Sequence, residues 1–300
     1  AQLAGGYKSA EALASQIDEV RARGTERFGV NLFVPNLHRI ADSDYEAYAE
    51  RIRDELGGGP VAAKREDDDA WDAKVALLLE ARVPLVSFTF GLPDPAVLAA
   101  FADAGITTMQ TVTSVDEARD AAASGVDSLV VQGSAAGGHS GIWAQDALPA
   151  DMPLLTLVAE VRAVTTLPIV AAGGIARREH VRALLEAGAD AVAIGTAALL
   201  ADEAGTSATH RAALADPSFK RTTLTRAFTG RPARALVNGS VERHDPTAPS
   251  GYPALHHLTR AMRADAAAAG DASRLHLWAG EGWREARQAP IAEILSALAP

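Results

Sequence analysis

Two glycine-bearing turns and one imidazole are the residues of this chain with the clearest chemistry. Ala171-Ala172-Gly173-Gly174-Ile175 and, 22 residues further on, Ala193-Ile194-Gly195-Thr196 each close a short apolar run. A glycine there leaves no side chain to block a ligand, so backbone N–H groups and the start of the next helix can converge on one anion. One such turn alone would do no more than relieve a tight connection. Two at neighbouring strand ends form the phosphate site of the last two strand-to-helix loops of a parallel barrel. That phosphate belongs to a cofactor or to a substrate, and the two turns leave both open. The third element is Gln132-Gly133-Ser134-Ala135-Ala136-Gly137-Gly138-His139-Ser140-Gly141. Its glycines make a loop with few side chains, suited to lie against something flat or to move, and one imidazole projects from it. Histidine is the side chain best suited to proton transfer near neutral pH. At the C-terminal end of a strand it stands on the face where such barrels do chemistry.

Alternating strands and helices must position these residues. Phe28–Phe33, Leu85–Thr89, Ile106–Val112, Ser128–Gln132, Pro168–Ala172 and Ala191–Ile194 read as strands. Helices are predicted over 9–23, from Asp94-Pro95, from Ser114, over 154–164 and over 177–187. Asp94 is a cap residue followed by a proline in the first turn, and Ser114 with Glu117 makes a capping box. Gly105, Gly125 and Gly188 read as left-handed C-caps just before the next strand. Strands apolar on both faces and joined by helices imply a parallel sheet covered by helices. The fold class is therefore α/β, a TIM-type (β/α)8 barrel. Six core strands are counted and Gln2-Leu3-Ala4 reads as the frayed end of another, so the first strand and most of the second are expected upstream of Ala1. An open doubly wound sheet is the alternative; the barrel is preferred because the phosphate turns come last in the series. The chain 1–300 reads as a single domain, with a helical insertion over 36–80 and a C-terminal helical region over 240–300. The insertion is predicted to hold helices over 44–56 and 68–81. Residues 222–240 read as extended and 241–253 as a Pro-rich loop. Helices near 254–268 and 284–298 complete the chain.

With 300 residues, 48% of them hydrophobic and 22% charged, the chain can bury a sizeable core. A formal net charge of −10 disfavours nucleic acid or an anionic membrane as partner. The absence of cysteine excludes disulfides, thiolate zinc sites and cysteine nucleophiles. No apolar run is long enough for a membrane span and no signal peptide opens the chain, so a cytoplasmic location is expected. No metal site is predicted: Asp67-Asp68-Asp69 precedes a helix and complements its dipole.

The motifs Gly133-Ser134-Ala135-Ala136-Gly137-Gly138-His139, Ala172-Gly173-Gly174-Ile175 and Ile194-Gly195-Thr196 resemble those of the nitronate monooxygenase family, formerly the 2-nitropropane dioxygenases. Arg226-Ala227-Phe228-Thr229-Gly230-Arg231-Pro232-Ala233-Arg234 and Trp278-Ala279-Gly280-Glu281-Gly282 narrow the resemblance, which spans essentially the whole chain. It implies a β/α barrel with a helical insertion and non-covalent FMN. By carry-over, Asn31 and Gln132 contact the flavin and Gly137 and Gly138 line its ring. Gly173, Gly174, Gly195 and Thr196 hold its phosphate, and His139 is the catalytic base. Ala4-Gly5-Gly6 resembles the end of the family's second strand. Three positions depart from the family pattern: Ala135 stands where Glu is usual, Thr111 where Gln or Lys is frequent (with Gln110 as a substitute), and Glu281 where Gln is common.

The activity implied is oxidation of an alkyl nitronate or nitroalkane by FMN and O2 to a carbonyl compound and nitrite. His139 would act as a protonated donor to the nitronate, or as a neutral base towards a nitroalkane. The runner-up is an FMN-dependent enoyl-thioester reductase using NAD(P)H, whose loop is nearly the same; a flavin-free phosphate-binding isomerase or lyase and a non-catalytic scaffold are more remote. The small nitro compound and O2 are the expected partners, and a homodimer is left open. Elsewhere, Ser87 and Phe88 line the pocket or pack in the core. Tyr252, His256 and His257 read as surface residues, Arg231 and Arg234 as salt-bridge anchors for the tail, and Trp71, Trp278 and Trp283 as packing residues, with Trp278 within reach of the flavin edge.

Overall fold

The computed structural model describes residues 1–36 and 38–300. Residue 37, in the predicted insertion, lies outside the described residues. Among these, seven parallel strands form one sheet in the order β1 (Gln2–Ala4), β2 (Gly29–Phe33), β3 (Leu85–Thr89), β4 (Thr107–Val112), β5 (Ser128–Gln132), β7 (Ile169–Ala172) and β8 (Ala191–Ala193). The order follows the chain without reversal. A doubly wound sheet would place later strands on the far side of the first, so the sheet is the wall of a TIM-type barrel. Gln2-Leu3-Ala4 is a full member of it, with Leu3 in register with Val30. A second, antiparallel sheet of β6 (Gly138–His139), β9 (Thr222–Thr225) and β10 (Ala233–Leu236) stands at its mouth, β10 in the middle.

Local signals explain the helices. Ser9 caps α1 (Ala10–Ala22) by accepting from Ala12 N, and Asp94 accepts from Ala96 N ahead of Pro95 at the start of α4 (Pro95–Asp103). Between β2 and β3 stand α2 (Asp42–Arg51) and α3 (Trp71–Ala81). The capping box of α5 (Val115–Ser124) forms only half. Ser114 accepts from Glu117 N, but the Glu117 carboxylate turns to Thr113 N, Thr113 Oγ1 and Trp143 N instead of the cap. That side chain ties the loop after β6 to the strand end of β4, a tertiary contact that outcompetes the local one. Gly105, Gly125 and Gly188 all have positive φ.

α6 (Leu154–Arg162), α7 (Arg178–Glu186) and α8 (Ala208–Ala215) follow. The predicted Pro-rich loop is part helix: α9 (Gly239–His244) starts where Asn238 accepts from Val241 N, a cap the proline content of the segment obscures. α10 (Ala254–Ala269) and α11 (Ile291–Leu298) complete the chain. The main core lies between sheet and helices, with Val30, Val86, Phe88, Leu129, Ile169 and Phe101 all buried. Phe88 faces this outer layer, packed on Trp71 and Phe101. Ser87 points the other way, to Asn31 and Gln2. Among the described residues no helix is long and apolar enough to cross a membrane.

Candidate active site

Parallel pairing aligns the three predicted elements. Gln132 is in register with Ala172, and Ala172 with Ala193, so the loop after β5 and the turns after β7 and β8 leave the same edge of the sheet side by side. Between them is a cavity of about 200 Å³ lined by Gln132, Gly137, Gly173, Gly174, Gly195 and Thr196, together with Gly280 and Gly282 from the tail. Among the described residues no acidic side chain lines it. Gly173 has φ of +114°, and a Cβ there would press on Gly133 O and Ala136 N at 3.0 and 3.1 Å. A Cβ on Gly195 would meet no protein atom within 4 Å, so the space beside it is open. The 3-10 turn Thr196–Ala198 starts at Gly195 without a side-chain cap, leaving its first N–H groups for a ligand. Cradle, donors and absence of negative charge fit the phosphate end of a flavin nucleotide.

The far end of the histidine loop is clipped back to its start by one side chain. Gln132 Oε1 accepts from Gly141 N at 2.6 Å, and Gln132 Nε2 donates to His139 O at 3.3 Å. Gly137 must be glycine because Gly280 N would lie 2.4 Å from a Cβ. Thr196 Oγ1 accepts from Gly280 N at 2.9 Å, which fastens the tail over the phosphate turn. Gly138, at φ +77°, turns the chain into β6, where it pairs with Arg234 while His139 pairs with Ala233. The tail is also anchored by Glu281, whose N–H reaches Ala135 O at 3.0 Å and whose carboxylate meets Arg234 at 3.3 Å. Two of the family departures, Ala135 and Glu281, thus touch each other.

His139 stands in a cage of rings, with centroids at 5.4 Å for Trp278, 5.8 Å for Phe90 and 6.0 Å for Tyr252. Its Nε2 is 2.9 Å from Thr229 Oγ1. That hydroxyl has Arg231 O as an acceptor for its own proton at 3.3 Å. The assignment satisfying both contacts puts the ring proton on Nε2 and leaves the lone pair on Nδ1. Burial, reinforced by the charges of Arg231 and Arg263, pushes the imidazole pKa down to about 3. His139 is therefore neutral at pH 7, which favours the base over the protonated donor of the two expected roles.

Asn31 is not part of the phosphate cavity. Its Oδ1 accepts from Ser87 Oγ and Thr89 Oγ1, both at 2.9 Å, and Thr89 in turn lies 3.3 Å from Thr111 Oγ1. This row of polar side chains crosses the barrel mouth towards Gly141, against which Thr111 packs closely. Gln110 does not replace the family residue at 111. It is fully buried, with Nε2 on Gly91 O and Thr111 O, because the strand alternation turns it away from Thr111.

Several expected roles change. Arg231 makes no salt bridge among the described residues; its guanidinium lies over Phe90, 3.9 Å from the ring centroid, and donates to Ile142 O. Arg234 does reach a carboxylate, Glu281. His256 and Tyr252 are buried, not exposed, and His256 stacks on Tyr7 at 4.0 Å. His257 pairs with Asp67 at 3.0 Å. Asp69 serves a buried partner, Lys74 at 2.8 Å, and accepts from Tyr7 N at 2.9 Å, which explains the acidic run better than a helix dipole does. Trp71 and Trp283 pack in cores, as expected. The sequence reading missed Thr229, Phe90 and Tyr7 because their role exists only through contacts distant in the chain. Gly280 and Gly282 were visible in the tail motif, but nothing local aimed them at the phosphate turns.

The fold has counterparts among known proteins. The chain is 45% identical to the nitroalkane oxidase from Streptomyces ansochromogenes, with a TM-score of 0.93, over 99% of this chain and 86% of that one. It is 32% identical over 299 residues to a protein named probable nitronate monooxygenase in Staphylococcus aureus (strain MRSA252), covering 97% of this chain and 84% of that protein. FabK from Thermotoga maritima, at 22% identity and a TM-score of 0.73 over 98% of this chain and 81% of that one, shares the fold. Residues 2–300 match the sequence profile described as Nitronate monooxygenase. The chain therefore belongs to the nitronate monooxygenase family, whose members are flavoprotein oxidoreductases.

Proposed function

We propose that this enzyme oxidises alkyl nitronates, and nitroalkanes after deprotonation, with FMN as cofactor and O2 as oxidant, yielding a carbonyl compound and nitrite. The observation that carries the reading is a neutral imidazole, caged by aromatic rings, on a loop that contributes Gln132, Ala136 and Gly137 to an anion cradle. The likeness to a nitroalkane oxidase at 45% identity supports the substrate class. FabK is a fold likeness only, and no observation in the site favours the reductase.

Gly173, Gly174, Gly195 and Thr196 would hold the FMN phosphate, with Gln132, Gly137, Gly138 and Asn31 towards the ring. When bound, FMN supplies the electron-accepting chemistry. The protein supplies position, exclusion of water and proton handling. Nδ1 of His139 takes the α-proton of a nitroalkane, while Thr229 fixes the ring plane through Nε2. Phe90, Tyr252 and Trp278 shield the half-buried imidazole on their sides and offer an apolar wall to the alkyl group. A nitronate arrives without that proton, so the cationic surroundings of Arg231 and Arg263 stabilise its charge.

The purified protein should carry flavin absorbance, which an alkyl nitronate bleaches anaerobically while NADH does not. His139→Asn should keep the flavin and lose at least about 100-fold in turnover of a nitroalkane. Full turnover by that variant with both nitroalkane and nitronate would sink the assignment. Fast bleaching by NADH alone would move it to a reductase.

A further inference from the structure

The caged imidazole has a neighbour that pairs with no carboxylate among the described residues. Arg231 is 0% exposed, the largest fully buried side chain among the described residues. Its Nη2 donates to Ile142 O, while Nε and Nη1 have no acceptor. Glu117, a carboxylate whose charge reaches it, is committed to Thr113 and Trp143 N. An isolated guanidinium in the interior is costly, so its place there calls for a role.

Two routes join Arg231 to His139. Thr229 Oγ1, bonded to His139 Nε2, also accepts from Arg231 N at 3.4 Å, so the tight turn carrying Arg231 sets the ring. Phe90 carries the guanidinium on its face and meets the imidazole edge to face, at 81°. Phe90 has φ of +80°, a strained conformation for a phenylalanine, which holds its ring between the two.

We propose that Arg231 is a positioning residue of the proposed oxidation: its turn orients the His139 ring through Thr229, and its buried guanidinium, seated on Phe90, is a positive neighbour that opposes protonation of that ring. The inference rests on the functional reading above. The other groups facing His139 are Arg263 and His256 from α10, His276 and Trp278 from the segment before the tail turn, and Tyr252 before α10. Arg263 acts in the same direction. His256 and His276 are themselves held below the ordinary range by burial, and the tyrosine is held above its own by burial. Among the described residues no carboxylate is part of this enclosure to offset Arg231.

Histidine-ring NMR on the flavin-loaded protein tests this, with the His139 signal assigned by its loss in His139→Asn. In the wild type His139 should stay neutral down to about pH 5. Arg231→Met should raise its midpoint by about one unit or more, shifting the acid limb of nitroalkane turnover equally, whereas Arg231→Lys should keep it low. A wild-type midpoint at about pH 6 or above overturns the proposal. So does a folded Arg231→Met protein that titrates like the wild type. Where the methionine variant does not fold, Arg231→Gln takes its place, and the wild-type midpoint decides on its own if neither folds. Absence of nitronate turnover in every protein would sink the oxidation reading and leave the titration to report on Arg231.

Discussion

Gly195→Ala separates ligand space from protein stability. The added methyl meets no protein atom within 4 Å, so the apoprotein has nothing to move aside. The open space it enters borders the cavity of about 200 Å³ between the turns after β7 and β8. A methyl there displaces the phosphate from one or two N–H groups. Hydrogen bonds to a charged group contribute about 1.5–3 kcal/mol each, so FMN binding should weaken by about 3 kcal/mol, roughly 100-fold in Kd. The assay is quenching of FMN fluorescence by apoprotein, with Tm of the apoprotein measured alongside. Gly137→Ala is the contrasting arm. Its methyl would lie 2.4 Å from Gly280 N and 2.7 Å from Thr196 Oγ1, so Gly280 must withdraw and its 2.9 Å bond to Thr196 must break. That variant should lose about 1–3 kcal/mol of stability as well as affinity. An unchanged Kd in a Gly195→Ala protein of unchanged Tm would refute the placement of the phosphate.

Two predictions concern acid stability. Glu55 accepts from Ser240 Oγ at 2.6 Å, Arg243 at 2.6 and 3.0 Å and His244 Nε2 at 2.8 Å; burial alone would raise its pKa, but these hydrogen bonds outweigh burial and bring it down to about 2 from 4.5. A depressed carboxyl stabilises the fold above its ordinary value, so Glu55→Gln should cost about 2–3 kcal/mol at pH 7 by chemical denaturation, and the gap should close as pH falls from about 4.5 towards 2. An equal deficit at pH 7 and pH 2.5 would count against the clamp. His139, His256 and His276 are held neutral well below 6.5, His139 at about 3 and His256 at about 2. Only the unfolded chain binds those protons, so stability should fall as pH drops from about 6.5 to 5, by up to about 1.4 kcal/mol per unit for each histidine. A flat denaturation midpoint across that window would contradict their burial as neutral rings.

What the sequence determined was whatever depends on neighbours in the chain. The strand pattern, the caps at Asp94 and Ser114, and the positive-φ glycines at 105, 125 and 188 are dictated by local sterics and periodicity, and they agree with the structure. The ordering of β5, β7 and β8 then places the GGH loop beside the two phosphate turns, because short right-handed crossovers lay consecutive strands side by side.

Tertiary structure decided what surrounds those turns. Glu117 abandons its capping box for Trp143 N, Gly280 is threaded onto Thr196, and Thr229, 90 residues away, takes the ring nitrogen of His139. Arg231 read as a salt-bridge anchor for the tail because an arginine beside proline in a polar motif ordinarily finds a carboxylate, and His256 read as a surface residue because a histidine in a charged helix ordinarily finds water. Whether such a residue faces solvent or the barrel mouth depends on which segments fold over it. That is a property of long-range packing, on which spacing along the chain carries no information.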